Sequence, residues 1–387
     1  MKILVLTHEF PPVGGGGGRV AQDIVVGLAA RGHEIRVLTA DMAGLEPDTA
    51  IYRRASIERI APRRKEAFRA EFGEMASYNW SAVKEGRRII RAWHPDLIHA
   101  HFAVPAGAAA YALWKLTGVP YVLTVHLGDV PGAVPEKTDR WFKYIYPLTP
   151  PIWRAAARIV AVSEFTRQMA QQHYSVPISV IPNGVDLSAL PARPIVPVQT
   201  STAIYRRARV VFAGRLMEQK NPVDLVRALA HLRHLEWDCA LLGDGPLLES
   251  VRQAVMASGL AERFWLPGWV SPEQVLSEFA RGDILVLPSR SEGLSVVGVQ
   301  ALGTGLAMVL SDVGGNLELV QDGENGFLFP VGDVDALATR LERLISNPTV
   351  LQSAQRKSRE MAQKFDMAAI ISQYETMFLG LIENVSF

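Results

Sequence analysis

The chain has 387 residues, of which 49% are apolar, and a formal net charge of +1. That length is beyond the roughly 250–300 residues at which a single core stops growing, so two domains are expected, while the balanced charge argues neither for nor against a polyanionic partner. A single cysteine, Cys239, excludes an internal disulfide and a cysteine metal cluster; within the apolar run "CALLG" it reads as a small buried hydrophobe.

The opening "MKILVLTHEF" runs directly into His8 and Glu9 and lacks the longer apolar segment and cleavage site of a secretory signal, which favours a cytoplasmic protein. Its core, "KILVLTH", reads as a strand. The glycines at 14–18 follow, and then a helix from Val20 to Ala30, with Val20, Ile24, Val25 and Leu28 on one stripe and Gly32 as its stop. Glycines between a first strand and a first helix let main-chain N–H groups approach a ligand. No register of them satisfies G-x-G-x-x-G, and Val20 after Arg19 breaks the P-loop pattern. Asp41, about where a ribose-binding acid would stand, keeps a hydride-transfer enzyme as a minor alternative.

Residues 1–187 carry 22 basic against 17 acidic side chains, and 188–387 carry 18 against 22. Seven of the cations fall between Arg53 and Arg69. A solvated helix face is the plainer reading of that run; an anionic acceptor or an acidic membrane surface is the other. Further strands are expected at "EIRVLTA", "LIHAHF", "YVLTVH", "RIVAVS" and "ISVIPN". Alternation puts His99 and His101 on one face, and with no third ligand spaced for a metal, packing or acceptor contacts are preferred. The longest uncharged apolar run, Phe102 to Trp114, is interrupted by Pro105 and falls short of the roughly 20 residues that cross a bilayer.

A linker rich in Pro and small polar residues, "NGVDLSALPARPIVPVQTSTA", separates this series from a second one: "RVVFAGRL", "DCALLGDG", "FWLPGWV", "DILVLPS", "AMVLSD" and "GFLFP". Its first helix starts with Asn221 as N-cap and Pro222 at the first helical position. Strands alternating with helices imply parallel sheets covered on both faces, and two such series imply two doubly wound domains. Ligands bind beyond the carboxyl ends of such strands, so two facing sheets would create a cleft between domains.

Arg215 and Lys220, in the loop after "RVVFAGRL", suit a diphosphate. In "RSEGLSVVGVQ" a helix is expected from Leu294 to Gly303, its first amides at Leu294, Ser295 and Val296 adding the positive end of a dipole. Glu292 would then sit beside a bound anion, where a carboxylate makes sense if it accepts hydrogen bonds from sugar hydroxyls. Gln300, about two turns on, is too far for the same groups but suits the ribose of a nucleotide. The only D-x-D, Asp333-Val334-Asp335, reads as a helix cap and not as a metal site. The final "FDMAAIISQYETMFLGLIENV" has helical apolar spacing.

Together, the early glycine loop, "RGHEIRVLT", "HAHF", "TVH", "NGVD", "GRLMEQKN", "GDGP", "EGLSVVGVQALGTGLAMVLSDVGGNLELV" and "NGFLFPVGDVDALA" resemble the retaining glycosyltransferases of family 4. The resemblance covers most of the chain and implies an α/β, GT-B fold: two Rossmann-like domains facing a cleft, 1–187 binding the acceptor and 188–367 the nucleotide-sugar donor, with a terminal helix 368–387 packing back on the first. It implies transfer of a sugar from a UDP- or GDP-linked donor to a hydroxyl acceptor with retention of configuration, in glycan, glycolipid or glycoconjugate biosynthesis. The acceptor would be a sugar, a lipid-linked or a small molecule. No metal, cofactor or nucleic acid is implied; peripheral association with an inner membrane surface through 53–69 is the remaining partner reading.

By the same resemblance Gly16 and Gly17 approach the donor sugar or phosphate, His126 contacts the transferred sugar, Arg215 and Lys220 hold the diphosphate, and Glu292 binds donor sugar hydroxyls. Gly243 of "GDGP" and the amides of Leu294, Ser295 and Val296 complete the donor site. The family usually has Glu where this chain has Gln300, whose amide keeps an acceptor oxygen for the ribose, and Ser295 replaces a frequent Gly. A nucleotide-sugar epimerase of the same fold and a non-catalytic nucleotide-sugar binder remain as alternatives.

Overall fold

The computed structural model describes residues 1–43, 45, 54–66, 71–134, 142–191 and 207–385. The chain forms two compact units, 1–183 together with 367–387, and 184–366. Most of the expected linker, from residue 192 onward, lies outside the described residues.

The first unit is built on a seven-stranded parallel sheet. Its strands are β1 (Lys2–Leu6), β2 (Glu34–Met42), β3 (Ala55–Arg64), β4 (Leu97–His101), β5 (Tyr121–Val125), β6 (Arg158–Ala161) and β7 (Ser179–Val180), in the order β3-β2-β1-β4-β5-β6-β7. Central strands of such a sheet are covered on both faces, so they are uniformly apolar and do not alternate. In β1, β4 and β5 nearly every side chain is accordingly buried. Leu4, Leu6, Ile98 and Leu123 are fully enclosed, each contributing roughly 1.5–3 kcal/mol relative to exposure.

Two expectations need correction here. The first helix runs over Gly16–Ala30, so the last three glycines of the run are helical, and Gly32, at φ 95°, supplies the left-handed stop. The basic run, read as a helix face, is largely the edge strand β3; Arg53 and residues 67–69 lie outside the described residues. Three of its cations bond main-chain carbonyls, while the Lys65 side chain stays 76% exposed. Arg59 donates to the Pro11 carbonyl at 2.8 Å, Arg54 to that of Gly32 at 2.9 Å, and the buried Arg64 to that of His8 at 3.3 Å. The β3 sequence "ASIERIAPRR" hid the strand because charges and a proline interrupt its apolar alternation, which an edge strand tolerates.

The terminal helix Met367–Val385 closes this unit. A Cβ at Gly27 would lie 2.5 Å from Ile371, so the bare glycine lets the two helices meet. Glu375 pairs with Arg31 and His33, each at 2.7 Å.

The second unit carries a six-stranded parallel sheet. It comprises β8 (Ala208–Ala213), β9 (Trp237–Leu242), β10 (Phe264–Gly268), β11 (Ile284–Leu287), β12 (Ala307–Ser311) and β13 (Gly326–Phe329), in the order β10-β9-β8-β11-β12-β13. All six were legible as apolar runs. Cys239 lies buried in β9, its thiol pushed well above the usual range by that burial. In both sheets the strand order reverses between the first strand and the one after the first two crossovers, β1/β4 and β8/β11, and an open sheet leaves a crevice at the carboxyl ends there. No helix among the described residues is long and apolar enough to cross a membrane.

Candidate functional site

At the carboxyl ends of the second sheet, Lys220 and Glu292, two of the residues read as anion and sugar ligands, come together. Gly214, φ 151°, follows strand β8, and the loop it opens carries Arg215 and Lys220. Beside it Gly243 follows β9: a Cβ there would stand 1.9 Å from the Gly214 carbonyl oxygen, so "GDGP" needs its glycine for two strand ends to lie together. Two hydrogen bonds tie the β8 loop to the β11 loop. The Arg290 N–H donates to the Gln219 carbonyl at 2.8 Å, and the Gln219 side-chain amide donates to the Ser291 carbonyl at 3.0 Å.

That lacing brings Lys220 onto Glu292. The Lys220 ammonium donates to Glu292 Oε1, and the buried Ser289 hydroxyl donates to the same oxygen at 2.6 Å. Glu292 is only 5% exposed, so its charge is held by these two donors more than by water. From behind, the Gly315 N–H donates to the Glu292 carbonyl at 3.0 Å; a Cβ on Gly315 would fall 1.6 Å from the Gly293 oxygen. Of this support only Lys220 and Glu292 were singled out in the sequence. Ser289, three residues before Glu292, had a readable local spacing, whereas Gln219 and Gly315 become partners only through the fold.

The helix after Glu292 spans Val296–Thr304, two residues later than expected at its start. Ser295 is its N-cap, and its hydroxyl accepts the Gly298 N–H at 3.2 Å. Leu294 and Ser295 therefore precede the helix, and the helical N–H groups without an intrahelical partner belong to Val296 and Val297. A serine cap at this position is the physical consequence of Ser295 standing where glycine was anticipated. Gln300 sits in this helix, half-buried. At the start of the helix Pro222–His231, Asn221 occupies the cap position but its side-chain amide donates to Asp224 and makes no cap bond. Asp333 caps the helix Val334–Ile345, accepting the Ala336 N–H at 2.8 Å.

In the first unit the loops after β1, β4 and β5 meet. Gly16 opens the first helix and Gly17 follows it; a Cβ on Gly17 would be 2.5 Å from Phe102 Cζ and 3.5 Å from His126 Cε1. Phe102 stands at φ 73°, a strained conformation for an aromatic residue, with its ring 4.4 Å from that of His126. The buried Asp129 fixes both loops, accepting the Ala103 N–H on Oδ1 and the His126 N–H on Oδ2, each at 2.8 Å. Burial outweighs these donors and pushes Asp129 up to about 7.

The glycine loop differs from a phosphate cradle in one respect. Glu9 Oε2 accepts the Gly15 N–H at 2.9 Å, so a carboxylate of the chain already occupies the turn. A second anion there would be repelled, whereas neutral hydroxyls would be accepted. Behind this pole lie His8, His99, His101 and His126, all buried. His99 and His101 share a face as expected, rings 4.3 Å apart, and His99 Nε2 meets the Thr124 hydroxyl at 2.8 Å. Desolvation lowers His126 and His8 to about 4, His99 to about 3 and His101 well below its ordinary value, so all four are neutral near pH 7. His126 Nε2 and both His101 ring nitrogens have no hydrogen-bond partner among the described residues. No group of three or more His, Cys, Asp or Glu among the described residues is arranged to hold a metal ion.

Residues 14–189 match the profile of glycosyltransferase family 4, and residues 207–347 match that of the glycosyl transferases group 1. An uncharacterized glycosyltransferase of Methanocaldococcus jannaschii is 27% identical over 94% of both chains. In fold, sucrose-phosphate synthase of Thermosynechococcus elongatus superposes with a TM-score of 0.86 at 19% identity, covering 99% of this chain and 100% of the other. Anabaena HepE, solved in complex with UDP and glucose, follows at a TM-score of 0.77 and 20% identity, covering 98% of this chain and all of its own.

Proposed function

Because this chain belongs to the glycosyltransferases of family 4 and has the GT-B fold, we propose that it moves a hexose from a nucleoside-diphosphate sugar to a hydroxyl acceptor with retention of anomeric configuration. The observation that carries this reading is the meeting of Lys220, Ser289 and Glu292 at the crevice of the second sheet, beside the start of the helix Val296–Thr304. A cation next to unpaired helix amides suits a diphosphate, and a desolvated carboxylate in contact with that cation suits the sugar attached to it.

In this scheme Arg215 and Lys220 take the diphosphate, with the Val296 and Val297 amides on its oxygens. Lys220 then shares its charge between phosphate and Glu292, which accepts hydrogen bonds from sugar hydroxyls. Gln300 reaches the ribose, and Gly243 leaves room at the strand ends for the nucleotide. The bond from the anomeric carbon to the leaving phosphate oxygen breaks as the acceptor oxygen bonds to the same face. The acceptor's proton passes to the departing phosphate. Donors preorganised on those oxygens stabilise the negative charge that develops there. On the first unit, Gly16, Gly17 and His126 are the candidates for sugar contact, the side of Gly17 where a Cβ would stand being taken by Phe102. His126, neutral at working pH, offers a hydrogen bond without adding a positive charge against an electron-poor ring.

The first test is calorimetry with UDP, GDP and ADP, UDP leading because HepE is solved with it. Arg215→Ala is expected to weaken binding of the preferred nucleotide by about 1.5–3 kcal/mol, the worth of charged hydrogen bonds; unchanged affinity would remove Arg215 from the site. Product analysis with the matching donor should show an acceptor glycoside, whereas a donor epimerised without acceptor would replace the reading. Chelator is expected to leave the rate unchanged, since the D-x-D pair is engaged in capping through Asp333.

Gly17→Ala separates function from stability. Its Cβ forces the Phe102 ring tip away from 2.5 Å, and the ring lying against His126 must follow. Against that clash alanine gains helix propensity over glycine, at most about 1 kcal/mol and less in a first turn. The thermal midpoint should therefore stay within a few degrees while transfer falls about tenfold to a hundredfold, as small misplacements at a reacting centre do.

A further inference from the structure

The first unit contains a cavity of about 250 Å³ that none of the roles above uses. Met75 and Asn79 of the helix Phe72–Trp93 form one wall. Val104 and Tyr111, from the loop after β4 and the helix Ala108–Thr117, form the second, and Leu148 and Ile152 the third. The lining is hydrocarbon almost throughout. The Thr149 hydroxyl, one of its few polar groups, is already engaged by the Tyr146 carbonyl and the Tyr174 hydroxyl, each at 2.8 Å. Phe72 and Leu148 line the same hollow yet remain 60% and 70% exposed. Large apolar side chains left in water around an apolar hollow mark a surface that something apolar covers.

The position of the cavity says what that something is attached to. The Phe102 ring lies tilted against His126, Ala103 is pinned with His126 on Asp129, and Val104, the next residue, lines the hollow. One short loop thus has the candidate sugar contact on one side and the cavity wall on the other. We propose that the cavity receives the apolar aglycone of the acceptor, an alkyl or aryl chain whose hydroxyl-bearing head lies at His126. This rests on the transfer reaction proposed above and narrows its acceptor from any hydroxyl compound to an amphiphile. The exposed Phe72 and Leu148 are the residues on which such a chain enters, and the polar groups of the lining are few, the Asn79 amide and the Tyr111 and Thr149 hydroxyls, which is why a hydrocarbon is preferred over a second sugar.

The probe is a series of methyl, n-hexyl and n-octyl β-D-glucopyranosides, each held below its micelle concentration, with binding read by calorimetry on the full chain. The octyl glycoside is expected to bind roughly tenfold tighter than the hexyl, near the limit of about fourfold per buried methylene, and the methyl glycoside not measurably. Ala76→Trp at the exposed mouth and Ala108→Leu on the wall should each weaken octyl binding at least tenfold while their melting curves show a folded protein. Affinity that does not rise with chain length, or octyl binding untouched by both substitutions, overturns the proposal. Sugar transfer to the same glycosides from UDP-, GDP- and ADP-glucose, measured in the same preparation, keeps the two readings apart. Transfer without chain-length dependence refutes the cavity's role alone, and chain-length-dependent binding with no transfer from any nucleotide sugar refutes the proposed reaction.

Discussion

Glu292→Ala is expected to lower sugar transfer by about 10²–10³-fold, the scale seen when one preorganised partner of a transition state is removed, while leaving affinity for free nucleoside diphosphate the same or higher. The second half of that expectation comes from the ion pair. Lys220 donates to Glu292 Oε1, so a diphosphate must compete with a carboxylate for the ammonium. Deleting the carboxylate hands the cation to the phosphate. Glu292→Gln keeps an acceptor oxygen for the Ser289 hydroxyl but not the charge, and should fall between the two in transfer. The Ala variant also leaves Ser289, fully buried, without its 2.6 Å partner, which should lower stability by about 1–3 kcal/mol; rates must be taken well below its melting midpoint. Parallel loss of nucleotide binding and transfer would show that Glu292 supports the loop only, and undiminished transfer would remove it from the reaction.

Acidification is expected to unfold the protein well before its carboxylates titrate as a class. In the folded state His8 and His126 are lowered to about 4, His99 to about 3 and His101 further, all by burial, against about 6.5 in the unfolded chain. Between those limits the unfolded state binds protons that the folded state refuses. The stability these groups contribute is thus fully present above pH 6.5 and lost as pH falls toward 4. Asp129 acts in the opposite sense. Raised to about 7 from 3.8, it favours the folded state most at low pH and loses that contribution as pH rises through 7. Four histidines against one aspartate leave a net loss on acidification of up to roughly 4 kcal/mol per pH unit, against a total stability of about 5–15 kcal/mol. Denaturant titrations at pH 7.5, 6.5 and 5.5 should show a steep fall in the midpoint, with His101→Phe flattening it by about one proton's slope. A midpoint level across that range would mean that water reaches the histidines.

Much of the fold was readable because parallel strands buried on both faces leave continuous apolar runs. Twelve of the thirteen described strands coincide with such runs, and the exception, β3, is an edge strand whose "IERIAPRR" mixes charge, proline and apolar residues. Helix starts were less legible. The glycine run was read as a ligand-approach loop ahead of a helix starting at Val20, yet Gly16, Gly17 and Gly18 are helical, the last of them lying against the Glu9 backbone. Ser295 capped a helix that was expected to begin at Leu294, because a side chain able to accept the N3 amide competes successfully with one more residue of helix.

The candidate site divides along the same line. Sequence alone placed Arg215, Lys220 and Glu292 at strand ends and named the glycines beside them, since position after a strand and residue type are both one-dimensional facts. What it could not supply was which oxygen meets which donor. Lys220 and Ser289 converge on Glu292 Oε1 because Gln219 laces two loops together, and Glu9, which had no role in the sequence reading, fills the glycine turn. Asp129 joins two crossovers through a pair of buried N–H groups. Residue types and their order determined the parallel sheets and the chemistry on offer, because burial pattern and functional groups are local properties. Partner, distance and protonation were decided only when distant loops were packed into one desolvated space, where each group's energy depends on neighbours from other strands.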